Sequence, residues 1–63
     1  MNEVVWRHKF VQALVDLIMK ETGLGESMAF NLAFSQVDNC WRDYYSKPPE
    51  ETARIALDEM KVR

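Results

Sequence analysis

Two short breaks divide this sequence into three segments, and they constrain its fold more than any other feature. The first break is Gly23-Leu24-Gly25 and the second is Lys47-Pro48-Pro49. Glycine and proline are the residues that most strongly interrupt regular structure. Between the breaks, apolar residues recur every three or four positions, which is typical of helices, and no long stretch alternates with the period of a strand. The sequence therefore predicts an all-α fold, in a single small domain that covers residues 1–63.

Three helices are expected between these breaks, over about 3–22, 27–45 and 49–61. A short connection that contains glycine favours antiparallel neighbours, so the first two helices should form a helical hairpin. Gly23 is placed to adopt the left-handed conformation that ends helix 1, with Leu24 folding back in a Schellman motif. Pro49 suits the first position of helix 3, where its missing N–H costs no hydrogen bond.

Helix 1 carries more apolar surface than one neighbouring helix can cover. Its apolar arc spans roughly 200° of the circumference, compared with roughly 100° for an ordinary surface helix. Two adjoining stripes form this arc, the first made by Trp6, Phe10, Ala13, Leu14 and Leu17 and the second by Val4, Val11, Val15 and Ile18. Helix 1 is therefore expected to bury two of its faces.

Helices 2 and 3 offer very different surfaces to helix 1. Large side chains form the stripe of helix 2 that should face the core, namely Phe30, Phe34, Val37, Trp41 and Tyr44. We expect Phe34 and Trp41 to be buried there, because aromatic rings remove large apolar areas from water. Helix 3 has a narrow stripe of mostly small residues, with Ala53 and Ala56 at its centre. It is expected either to cover the hairpin as a lid or to reach another chain.

The small size of the chain suggests that a second chain completes its core. A chain of 63 residues buries only about 60% of the surface that its unfolded form exposes. A single cysteine excludes an intramolecular disulfide, which is a common way of stabilising so small a domain. We therefore expect a homodimer that forms a helical bundle. Its candidate interface residues are Val4, Trp6, Val11, Val15, Ile18 and Tyr45.

No constellation of residues predicts catalysis or metal binding. Cys40 and His8 are the only thiol and imidazole, and no second ligand of either kind lies within a helical turn. The adjacent carboxylates Glu50 and Glu51 are explained by the positive end of the helix 3 dipole. No catalytic, cofactor-binding or metal-ligating residue is assigned, and we expect a protein that is not an enzyme.

Two classes of binding function are therefore left to compare. The leading hypothesis is a protein–protein interaction module that acts as an adaptor, regulator or inhibitor of another macromolecule. The alternative is a nucleic-acid-associated helix-turn-helix regulator, for which Arg7, Lys9 and Arg42 would be the contacts. A net charge of −2 argues against the alternative, because nucleic-acid binding depends on a basic surface. A small-molecule carrier is a further alternative, although no motif favours it.

The sequence also suggests where the protein works. No run approaches the ~18 consecutive apolar residues of a membrane span. Glu3 precedes the first basic residue and Asp16 interrupts the apolar stretch of helix 1, unlike a secretory signal. A single unpaired cysteine fits a reducing compartment. The expected location is cytoplasmic, without membrane contact.

Overall fold

A computed structural model describes residues 2–62, and the side chains of residues 2–61. It contains three helices: α1 over Glu3–Thr22, α2 over Glu26–Tyr44 and α3 over Pro49–Val62. Residues 2–62 form no strand, so the predicted all-α class is confirmed. The bounds of α1 agree with the prediction, α2 begins and ends one residue earlier than predicted, and α3 ends one residue later.

Local hydrogen bonds explain where α1 begins and ends. The side chain of Asn2 accepts a hydrogen bond of 2.9 Å from the backbone N–H of Val5, as a helix N-cap does. Gly23 follows the last turn with φ 76° and ψ 6°, and its N–H donates to the carbonyl of Met19 at 3.1 Å. The predicted left-handed glycine is therefore confirmed, since this conformation favours a residue without a Cβ.

The predicted Schellman motif is wrong. Leu24 donates its backbone N–H to the Thr22 hydroxyl at 3.3 Å, whereas a Schellman motif needs that N–H on a carbonyl of the helix. The Thr22 hydroxyl itself donates to the carbonyl of Ile18. Because this side chain takes the Leu24 donor, α1 ends in the simpler αL motif with the single Gly23–Met19 bond.

The connection between α2 and α3 is short, and hydrogen bonds tie it to the helix at each end. Lys47 donates its N–H to the carbonyl of Tyr44 at 2.8 Å. The carbonyl of Pro48 accepts from the backbone N–H of Thr52 at 3.1 Å and from its hydroxyl at 3.0 Å. Pro49 occupies the first position of α3, as the sequence predicted. Thr52, the one buried polar side chain among the described residues, is thus satisfied locally.

Helix α1 is the central element of the fold. It packs closely against both α2 and α3, whereas α2 and α3 touch each other little. The prediction that α1 buries two faces is therefore confirmed. The core contains residues from all three helices, namely Trp6, Phe10, Val11, Leu14, Val15, Ile18, Ala29, Ala33, Val37, Cys40, Ala53, Ala56 and Leu57.

This packing covers most of the surface that the sequence placed at a dimer interface. Val11 is 7% exposed, Val15 4% and Ile18 0%. Of the two roles predicted for α3, the structure shows the lid over the hairpin. The small side chains of α3 let it lie close against α1. The apolar face expected to need a second chain is thus covered within the chain itself.

Trp6 is also part of the core rather than of an exposed interface. Its side chain is 1% exposed, its ring stacks on Phe10 with centroids 5.3 Å apart, and it meets Trp41 edge-on at 5.4 Å. Its indole Nε1 donates a 2.8 Å hydrogen bond to the carbonyl of Lys47. The first turn of α1 is thereby tied to the connection that precedes α3. Of the six candidate interface residues, only Val4 and Tyr45 are exposed, at 77% and 63%.

Helix α2 is rotated relative to the prediction. Small residues form its buried face, namely Ala29, Ala33, Val37 and Cys40. Its aromatic side chains flank this face, and Phe34 is 58% exposed, so the prediction that Phe34 lies in the core is wrong. Trp41 is partly buried against the core. The small residues let the α2 backbone approach α1, and this approach leaves the larger rings at the border of the contact.

Candidate docking groove between α1 and α2

An open groove of about 390 Å³ runs between α1 and α2. Phe30, Phe34 and Val37 of α2 form one wall, and Val11 lies on the α1 side of its floor. Arg7, His8 and Gln12 complete the α1 side. We call these seven residues the α1–α2 groove. It is an apolar depression with a polar rim on one side, the usual construction of a site that accepts an apolar group.

The aromatic wall is the most exposed apolar part of the groove. The rings of Phe30 and Phe34 stack with centroids 5.8 Å apart and an interplanar angle of 28°. Phe30 is partly buried against the core, whereas Phe34 projects into solvent. Phe30 therefore anchors the pair, and it holds Phe34 at the lip of the groove in a defined position. Because Phe34 continues the apolar surface of Phe30 and Val37, the three form a contiguous apolar patch, which is the kind of surface that marks an interaction site.

The floor of the groove reaches the hydrophobic core. Val11 and Val37 both line the groove and are only 7% and 8% exposed. A group that entered the groove would therefore contact buried aliphatic side chains. That contact would remove the apolar surface of the entering group from water.

An ion pair between α1 and α2 borders the groove. Arg7 donates to the Glu3 carboxylate at 2.7 Å and also to Asp38 of α2. The hydrogen bond from Arg7 to Asp38 and that to Glu3 raise the pKa of the guanidinium, so it stays charged. The carboxylate of Asp38 keeps 81% of its side-chain surface exposed. This border thus offers a second acceptor oxygen to an approaching molecule.

A smaller cavity of about 300 Å³ lies beside the α2–α3 connection. Trp6 and Tyr45 contribute aromatic surface to it, and Tyr45 lies 5.7 Å from Trp41 between ring centroids. The remaining lining residues are Lys9, Ser46, Lys47, Pro48, Pro49 and Glu50. Two of the predicted interface residues, Trp6 and Tyr45, line this cavity, whereas Val4 does not.

The thiol of Cys40 is not activated. Burial, together with the nearby charges of Glu59 and Asp43, raises its pKa from 9.0 to about 11. The thiol is therefore protonated at neutral pH, and a protonated thiol is a poor nucleophile. His8 is exposed on the rim of the α1–α2 groove, which Cys40 does not line. Among the described residues, no three His, Cys, Asp or Glu side chains are grouped to hold a metal ion.

The arginines considered for nucleic-acid contact both have polar neighbours within the chain. Arg7 is shared between Glu3 and Asp38. Arg42 donates to Asn39 at 3.1 Å and lies 3.4 Å from the Asp43 carboxylate. A phosphate would have to compete with these acceptors, which weakens the electrostatic attraction on which nucleic-acid binding depends.

A second ion cluster fixes α3 to the end of α1. Glu21 accepts hydrogen bonds from both Lys61 and Arg54, and Arg54 also lies 2.9 Å from Asp58. The hydrogen bonds from Lys61 and Arg54 lower the pKa of Glu21 to about 2. The sequence showed no signal for this cluster, because its members lie far apart along the chain and become neighbours only through packing.

Sequence patterns found the two apolar faces of α1, although not the groove. Only Val11 of the predicted interface residues lines the α1–α2 groove. The exposed pair Phe30 and Phe34 lies at i and i+4, a spacing that also fits a buried stripe. No helix in the described part of the chain is both long enough and apolar enough to cross a membrane. No protein family, no curated protein and no solved structure matches this chain.

Proposed function

We propose that this chain is a protein–protein interaction module whose contact surface is the α1–α2 groove. In this proposal it is a small helical homodimer in the cytoplasm that acts as an adaptor, regulator or inhibitor of another macromolecule. The observation that carries the proposal is Phe34, a large aromatic side chain that is 58% exposed at the lip of an apolar groove.

The chemistry of the groove favours a protein as its occupant. Aromatic side chains in partly enclosed sites are the usual anchors of protein interfaces. A groove between two helices fits the apolar face of a third helix, which is a recurring mode of peptide recognition. The rim residue Gln12 can hydrogen-bond to such a helix at a small desolvation cost, because an amide loses less hydration than a charged group.

The antiparallel hairpin of α1 and α2 forms part of this proposal. The pairing of Arg7, near the start of α1, with Asp38, in the second half of α2, supports it. In such a hairpin the groove lies between residues 7–12 of α1 and residues 30–37 of α2. A docked helix would then complete a four-helix arrangement of the kind common among helical bundles.

The test compares two exposed apolar residues of α2. Phe34→Asp places a charge at the lip of the groove, whereas Met28→Asp changes a residue that is 54% exposed and does not line it. The three proteins serve as baits in lysate of the source cells. We expect the same proteins on the wild type and on Met28→Asp, and their loss from Phe34→Asp. Equal recovery on all three baits would contradict a docking role for the groove.

The same baits separate a protein partner from a nucleic acid. Each is mixed with duplex DNA and with RNA at low salt, where phosphate contacts are strongest. We expect no retardation of either nucleic acid. Retardation that depends on Arg7 and Arg42 and declines as salt rises would favour the helix-turn-helix alternative instead.

A further inference from the structure

We propose that the α1–α2 groove binds a basic amphipathic helix of another protein. This partner helix is about four turns long, with an apolar stripe along its middle and lysine or arginine residues near both ends. The inference rests on the proposed function, because it names the kind of partner that the same groove takes. Apolar surface extends from the groove along α1 in both directions, and each end of the groove carries net negative charge.

The apolar surface of the groove continues along α1 beyond the lining residues. At 100° per residue, Val4 and Met19 lie about 20° and about 80° around the helix from Val11. The lining residues His8 and Gln12 lie on this same side of α1. Val4 is 77% exposed and Met19 is 38% exposed. Their separation along α1 is about 22 Å at 1.5 Å per residue, which matches a docked helix of about four turns.

The end of the groove toward the α1–α2 connection carries two carboxylates that no cation neutralises. Glu26 lies one helical turn before Phe30 on α2, and Asp16 lies one helical turn after Gln12 on α1. Both acids are exposed, and within residues 2–61 neither forms an ion pair. In the antiparallel hairpin both positions lie toward the same end of the groove. Two negative charges are therefore available there to a cation of the partner.

The opposite end of the groove is also negative. Arg7 lies between the carboxylates of Glu3 and Asp38, so two anions share one cation. The hydrogen bond from Arg7 uses one oxygen of Asp38, whose side chain is 81% exposed. A cation of the partner can pair with the second oxygen while the bond from Arg7 stays in place. Glu26 and Asp38 are about 18 Å apart along the α2 axis, and this distance sets the spacing of the partner's two basic groups.

The lysines that could repel a basic partner lie away from the groove. Within the described part of the chain, the lysines without an ion pair are Lys9, Lys20 and Lys47. Lys9 and Lys20 lie about 160° and about 180° around α1 from Val11, and Lys47 lines the smaller cavity. Arg7 is the one lysine or arginine that lines the groove. Opposite charge across an interface speeds association and selects the partner, so this distribution favours a basic helix.

Two synthetic helical peptides test the charge preference directly. Both are about 18 residues long and share one stripe of leucines, but one carries lysines near both ends and the other carries glutamates there. Binding of the fluorescently labelled peptides to the full chain is measured by anisotropy. At low salt the lysine peptide should bind about tenfold more tightly, and added salt should reduce this difference by screening. Equal affinities, or no binding of the lysine peptide up to about 1 mM, would overturn the proposal.

Variants of the chain locate the contact, and circular dichroism checks that each keeps its helices. Phe34→Asp should weaken binding of the lysine peptide at least tenfold, whereas Met28→Asp, outside the groove, should not. Asp16→Asn combined with Glu26→Gln should weaken it about threefold, because exposed ion pairs are individually weak. Glu51→Gln removes an exposed carboxylate from α3 and should leave the affinity unchanged. An equal loss in Glu51→Gln and in the double variant would overturn the role of the charged ends.

These outcomes are distinguishable from failure of the proposed function. Capture of cellular proteins through Phe34, together with equal affinity for the two peptides, would overturn the basic helix as partner and support the interaction module. Sedimentation that shows dimers of the wild type, lost in Phe34→Asp, would place a second copy in the groove and overturn this inference. Absence of all Phe34-dependent binding, to the peptides and to cellular proteins, would contradict both.

Discussion

The two contacts of α1 both have small residues at the centre, and they differ in the side chains that lie beside that centre. Against α3, α1 meets Ala53 and Ala56, which are 0% and 3% exposed. Against α2, it meets Ala33 and Val37 at the centre, with Phe30 and Phe34 at the side. The contact with α3 is closed at Ala53 and Ala56, whereas the contact with α2, which is flanked by rings, leaves a groove of about 390 Å³.

This difference shows that the size of a side chain is a poor guide to how well it covers a neighbouring helix. Small residues let two backbones come close together, so that large side chains of the opposing helix fill the space. Large rings at the border of a contact extend past the neighbour and stay partly in water. Helix α3, whose apolar stripe in the sequence is the narrower one, therefore covers its face of α1 more completely.

The largest expected effect on stability comes from creating a cavity in the contact between α1 and α3. Leu57→Ala removes a side chain that is 1% exposed in α3, and such changes cost about 2–5 kcal/mol. Val37→Ala on the groove side should cost clearly less, because its surroundings already open to water. Urea unfolding followed by circular dichroism measures both free energies. Equal losses would show that the two contacts of α1 are equally closed.

Adding volume should reveal the same asymmetry with a smaller effect. Ala56→Leu forces extra atoms into the close contact with α1, and overpacking typically costs about 1–3 kcal/mol. Val37→Ile adds one methyl group beside the groove, where space is present, and should cost less than about 1 kcal/mol. Thermal unfolding midpoints of the two variants provide the measurement. A larger loss for Val37→Ile would contradict the open character of the groove.

The smallest expected effect concerns acid, and it acts only on the α1–α3 side. The pKa of Glu21 is lowered from 4.5 to about 2 by Lys61 and Arg54. A carboxylate whose pKa is lowered on folding stabilises the protein above the unfolded pKa and loses that contribution as pH falls through the folded pKa. The free energy of unfolding should therefore decrease as the pH falls from 4.5 to about 2. In Glu21→Gln this decrease should be smaller.

Matched variants isolate the Glu21 contribution. The thermal midpoint is measured against pH for the wild type, for Glu21→Gln and for Asp16→Asn, which changes an exposed carboxylate of the same helix. Added salt should reduce the difference between wild type and Glu21→Gln, because exposed ion pairs are screened. Identical acid profiles for wild type and Glu21→Gln would contradict a role for this cluster in holding α3.

The sequence was sufficient to predict the three helices, but it was insufficient to predict which face of α2 is buried. Gly23 and Pro49 marked the helix boundaries through their own backbone chemistry, which is local. The arc of α1 implied two buried faces, because periodicity is also a property of one segment. The exposure of Phe34 depends on how closely α2 approaches α1, and that distance is set by Ala29 and Ala33 together with the residues they meet.

The candidate site was harder to predict for the same reason. The groove combines residues of two helices, and only Val11 belonged to the predicted interface. Trp6 was expected at an interface because it lies near a helix end, where small folds cover little. Its acceptor is the carbonyl of Lys47, which lies 41 positions away, and no local pattern could identify it.

The bond between Trp6 and Lys47 also has a consequence for how the chain folds as it is made. Every residue between them must be synthesised before the indole of Trp6 can reach its acceptor. At about 5–20 residues per second this delay is of the order of seconds, far longer than a helix needs to form. During that interval the face of α1 that α3 later covers remains exposed, so the growing chain presents an apolar surface until its third helix has been made.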